Sequence, residues 1–142
     1  MALTAVNINK TRIYVSRHDP DTQNPTKWHL GFLDSLRRAQ IDDQITVFEA
    51  DPGKPDAQAK TTLKLNEARV DLVRFGLKDI ENFIDEETGK PVKFETITVL
   101  REGKSYNVVS DTILRRIDPD ILYELAEEIK KLNKFTEVEE KN

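Results

Sequence analysis

The sequence predicts an α+β fold, an antiparallel β-sheet with C-terminal helices packed on it. Three observations carry that expectation. Short stretches such as KTRIYVS and KWHLGF bring β-branched and aromatic residues together, as half-buried strands do. Glu102-Gly103 sits between two such stretches, where a hairpin would turn. The last third carries Asp111 and Asp118 as helix starts ahead of an apolar stripe of helical period. At 142 residues the chain is expected to form a single domain, 1–142, with a flexible loop near 51–60 and an acidic C-terminal tail over 134–142.

Each element follows from its residues. Residues 10–16 read as a strand on Ile13, Tyr14 and Val15. RHDPDTQNPT is a loop, with two Pro among Asp, Asn and Thr. Over 27–36, Trp28, Leu30 and Phe32 alternate as a strand, and Asp34 or Ser35 caps a short helical turn over LRRAQ. Residues 44–50 (QITVFEA) are expected to be extended on Ile45 and Val47. DPGKPDAQAK follows as an exposed loop, and TTLKLN alternates as a strand. Over 67–76 a helix is the rival reading, but β-branched content and Gly76 favour a strand. Leu77, Ile80, Phe83 and Ile84 have helical spacing, so a short helix is expected over 77–83. Gly89 and Pro91 punctuate a turn after it, and 92–110 form the hairpin.

The C-terminal part predicts two helices. Asp111 caps the first, which carries Ile113, Leu114 and Ile117. Asp118 caps the second, with Pro119 at the position where a missing N–H costs nothing. Ile121, Leu122, Leu125, Ile129 and Leu132 trace its apolar face. Glu124, Glu127, Glu128, Lys130 and Lys131 are assigned to the solvated side, Glu127 and Lys131 as an i, i+4 pair. The end, KFTEVEEKN, is expected to fray or to await a partner.

Composition narrows the chemistry. The chain has no Cys and two His, so disulfides, thiol nucleophiles and Cys-ligated metals are excluded. No apolar run approaches the ~18 residues of a membrane span, and the start lacks an apolar block of signal-peptide length. His18 and His29 are explained by loop composition and strand parity. No metal or cofactor ligand set is expected, and no phosphate-binding loop or nucleophile elbow can be assembled. The carboxylates Asp42, Asp43, Asp85, Glu86, Glu87, Asp118 and Asp120 mostly sit at turns and helix starts. A hydrolase would need two of them in one cleft with separated pKa values. Arg37, Arg38, Arg115 and Arg116 would serve a nucleic-acid platform with Trp28, Phe32 and Tyr14 only if they shared a surface. The bland reading of these arginines is solvated helix-face charge. The net charge of -4 weighs against direct nucleic-acid contact. From Asp118 onward eight acidic residues face four basic ones, which suits a basic protein partner.

RFGLKDIENFIDEETGKPVKF and SYNVVSDTILRRIDPDILYELAEEIKKLN, followed by EVEEKN, resemble segments of small proteins encoded in tailed-bacteriophage structural gene clusters. RIYVSRHDPD and PTKWHLGFLDS match the front of that pattern. Asp79 and Ile80 stand where the pattern has Gly and Trp. The resemblance implies a non-enzymatic morphogenesis protein, either a tail assembly chaperone or a virion component near portal and tail. It implies phage structural proteins (tail tube, tape measure, portal or neck) as partners, homo-oligomerisation, and residence in the virion or in the host cytoplasm during assembly. The membrane plays no part in that expectation. Trp28, Leu132, Phe135, Val138, Glu139 and Glu140 are the candidate partner-binding residues, together with edge strands and the 51–60 loop. The alternatives are a small carboxylate-dependent hydrolase and a nucleic-acid-binding module.

Overall fold

A computed structural model of the chain describes residues 2–5, 7, 9–49 and 55–134, with side chains placed over 2–5, 7, 9–44 and 66–134. Strands β1 (Thr11–Tyr14), β2 (Lys27–Gly31) and β3 (Leu77–Glu81) form an antiparallel sheet with β2 in the centre. Helices α1 (Ser35–Glu49) and α2 (Pro55–Gly76) lie between β2 and β3 in sequence and pack on each other. Strands β4 (Thr96–Arg101) and β5 (Lys104–Val109) make a separate two-stranded hairpin. Helices α3 (Asp111–Leu114) and α4 (Pro119–Leu132) close the chain, and α4 packs against α2 and β2. The architecture is α+β, with antiparallel sheets and the C-terminal helix on the sheet.

Local chemistry explains the elements that match expectation. In β1 and β2 the register pairs Tyr14 with Trp28 and Ile13 with His29. Trp28 and Leu30 therefore face the core while His29 faces outward, where its Nε2 meets Glu81 at 2.8 Å. At the β4–β5 turn, Glu102 and Gly103 both have positive φ, 54° and 76°. That is the backbone hand a two-residue hairpin requires. The Asp118 side chain accepts from the Asp120 N–H at 2.9 Å, with Pro119 in the first turn of α4. Asp34 caps α1 by accepting from the Arg37 N–H at 2.8 Å.

Several expectations are corrected. Residues 44–49 are the second half of α1, not a strand. Residues 61–66 and 67–76 are helical, both within α2, so the rival reading of 67–76 is the right one. The stripe is legible in burial: Ala68, Leu72, Phe75 and Gly76 are buried at helical spacing. The expected loop at 51–60 is helical from Pro55 onward, and 51–54 lie outside the described residues. Residues 77–81, expected as a helix, are β3. A bulge causes the misreading. The register shifts between His29 and Leu30, so that Trp28 pairs with Ile80 but Leu30 pairs with Leu77. An extra residue in β3 resets its side-chain parity, and two inward residues stand three apart. Residues 92–95 precede the hairpin as irregular chain. Ser110, not Asp111, caps α3: its hydroxyl accepts from the Ile113 N–H at 3.3 Å. The tail beyond Lys134 lies outside the described residues.

One core joins these layers. Ile41, Leu72, Val73, Leu77, Val109, Leu125 and Ile129 are fully buried at its centre. Gly76 lets α4 approach α2 closely, since a Cβ there would stand 2.7 Å from Ile129 Cδ1.

Candidate partner-binding groove

At one end of the sheet, the loop after β1, Trp28 of β2, the segment after β3 and the first turns of α4 enclose a cavity of about 900 Å³. Its size falls in the range of ligand and peptide pockets. The apolar wall is Trp28, Phe83, Ile84, Ile121 and Tyr123. Trp28 and Phe83 rings lie 5.3 Å apart, tilted by 53°, an arrangement their quadrupoles favour. Ile84 and Tyr123 are about half exposed, so apolar surface reaches the mouth. The rim is predominantly acidic: Asp19, Asp21, Asp118, Asp120 and Glu127 line it alongside Arg17 and His18.

The loop over 17–26 is held by its own carboxylates. Asp19 accepts from the Asp21 N–H and the Thr26 N–H, both at 2.9 Å. Asp21 accepts from Gln23 N–H at 3.0 Å and from Asn24 N–H at 2.8 Å. These bonds turn a Pro-containing loop into a fixed wall. Thr26 ties it to the far side by donating from its hydroxyl to the Asn82 carbonyl at 2.9 Å.

Glu124 is the polar anchor of the floor. It is 5% exposed. It accepts from the Tyr14 hydroxyl, from the Ser16 hydroxyl at 2.7 Å and from the Arg17 N–H at 3.2 Å. Burial pushes its carboxyl up, but those three donors outweigh burial and hold it below the usual carboxylate range. Burial and the bond to Glu124 push the Tyr14 phenol far up. Glu124 is therefore a fixed anion, saturated by its donors, that clamps the end of β1 to α4. The expectation that it belongs to the solvated side of α4 is corrected. Its position, one residue before Leu125 on the apolar face, was the available signal. Around it, Lys130 and Lys131 pair at i, i+3 with Glu127 and Glu128, rather than Glu127 with Lys131.

The candidate partner-binding residues fall in different places. Trp28 is 3% exposed and serves the core and the cavity wall at once, so it is not a projecting anchor. Its Nε1–H is buried and has no acceptor among the described residues. Leu132 is half-buried against the core. Phe135, Val138, Glu139 and Glu140 lie outside the described residues. Ile84 and Tyr123, which the sequence reading missed, stand at the groove mouth. No group of three or more potential metal-ligating side chains occurs among the described residues, and no described helix is long and apolar enough to cross a membrane.

Of the four arginines, Arg115 and Arg116 are exposed, as the solvated-charge reading expects, and Arg38 is half-buried. Arg37 is buried, contrary to expectation, and its guanidinium lies 5.0 Å from the Phe75 ring centre. Arg38 reaches the carbonyls of Asn133 and Lys134, while Arg116 pairs with Asp85 at 2.9 Å. Comparison with protein-family models, curated proteins and solved structures finds no match to this chain.

Proposed function

We propose that the chain is a non-enzymatic bacteriophage morphogenesis protein that works by binding other phage structural proteins. The 900 Å³ groove, with apolar walls and an acidic rim, is the observation that supports this reading. Such a groove suits a segment that buries one or two apolar side chains and brings Lys or Arg to the rim. Glu124, Asp19 and Asp21 are committed to holding α4 and the loop in place, which favours recognition over chemistry. Glu124, the buried carboxylate among the groove's lining residues, is held below the usual carboxylate range by its bonds from Tyr14, Ser16 and Arg17. A hydrolase acid would need the opposite shift. The exposed Ile13 of the outer strand β1, and Val15 just after it, add a second apolar surface for assembly.

Light scattering on the purified chain, alone and mixed with the products of neighbouring genes, tests the proposal. A defined oligomer, or a stable complex with a tail or head–tail protein, is the expected result. A monomer that binds none of them overturns it.

A further inference from the structure

A second, smaller cavity of about 230 Å³ lies between the start of α1, the end of α2 and the β5 strand, away from the groove. Arg37, Lys78 and Lys104 line it, against one carboxylate, Asp34. Arg37 is 4% exposed, and its Nε and Nη1 donors are buried with no hydrogen-bond partner among the described residues. Phe75 stacks beneath its guanidinium, but a ring face accepts none of those N–H bonds. A buried guanidinium without an oxygen acceptor is costly, and such charges are ordinarily paired. Asp34 does not relieve it. That carboxylate accepts from the Arg37 backbone N–H at 2.8 Å and lies 3.7 Å from the Lys104 ammonium. Lys78 adds to the imbalance. Its ammonium is tucked under the Phe75 carbonyl at 2.7 Å, although the residue as a whole keeps solvent exposure. Gly31 makes room for its stem, since a Cβ there would stand 2.7 Å from Lys78 Cγ. Burial pushes that ammonium down, and the Asp34 charge only partly offsets it. Ser105 and Asn107 supply further polar groups at the wall.

We infer that this cavity is an oxyanion site, in which Arg37, Lys78 and Lys104 take a phosphate or carboxylate group. The planar fork of Arg37 supplies directional donors and the two lysines supply charge. The site is independent of the groove and of the assembly reading.

Thermal unfolding and amide chemical shifts of the full chain test the site, with inorganic phosphate and acetate as separate probes against chloride at matched ionic strength. Tm is expected to rise with the logarithm of the concentration of at least one probe, with saturable shifts at residues 34–38, 78 and 104–107. The probe that acts tells phosphate from carboxylate. Arg37→Met is expected to keep or raise Tm without the probe, because it removes an unpaired buried charge, and to abolish the probe's effect. Lys104→Ala lies on the exposed hairpin and is expected to fold normally with a probe affinity several-fold weaker. Absence of a specific response to both probes overturns the inference. So does an Arg37→Met variant that loses stability yet responds to the probe as the wild type does.

Discussion

The Asn133 side chain accepts from the Leu33 backbone N–H at 2.7 Å, across 100 residues of sequence. The same amide donates to the Ile129 carbonyl at 2.9 Å and to the Gly31 carbonyl at 3.4 Å. It thus terminates α4 and seals the end of β2 in one buried set of bonds. Asn133→Ala leaves the Leu33 N–H buried and unpaired, at a cost of about 1–3 kcal/mol. Urea denaturation of the two proteins measures the loss, which should appear as a lower midpoint with an unchanged slope.

Glu124 sets part of the acid response. Its folded pKa lies below the ordinary 4.5, so its contribution is fully present above the unfolded value. That contribution is lost as pH falls through the folded one. Asp34, Glu81, Asp85 and Asp111 share the direction. Stability should therefore fall steadily below about pH 4.5. Glu124→Gln should be less stable at pH 7 and show a shallower fall in acid, measured by denaturant titrations between pH 7 and pH 2.5.

Gly76 and Ile129 form a close contact between α2 and α4. Gly76→Ala should cost about 1–3 kcal/mol by overpacking. The penalty should shrink in an Ile129→Ala background, where the obstructing atoms are gone. Equal penalties in the two backgrounds would show that the contact is not the cause.

The single Trp lies in the groove wall, so its fluorescence reports occupancy directly. Ile84→Lys places a cation at the mouth of an acidic groove. It should weaken binding of a basic partner segment by about 2 kcal/mol, while the change in stability stays within about 0.5 kcal/mol. Titrating partner into wild type and variant, with Tm recorded for each, separates the two effects.

Much of the order of strands and helices at the two ends was legible in the sequence. The β4–β5 turn announced itself through Glu102-Gly103, and α4 through Asp118-Pro119 and its stripe. The middle was misread for physical reasons. Ile45 and Val47 have strand propensity, yet they belong to α1, since β-branched content is a weak local preference that the wider fold overrides. Leu77 and Ile80 imitate a helical face because a bulge in β3 breaks the period of two. In the groove, Trp28 was visible as a large aromatic, but Glu124 looked like one charge among several on a polar face. Only the donors that converge from Tyr14, Ser16 and Arg17 distinguish it, and they lie about 110 positions away.

That separation has a consequence for synthesis. The first strand is bolted down by a residue of the last helix, and the end of β2 by Asn133. A nascent chain therefore carries β1, β2 and both long helices before it possesses the groups that lock them. The N-terminal half cannot reach its final stability while the ribosome is still making α4. A chain interrupted before Glu124 lacks the carboxylate that ties the end of β1 to α4.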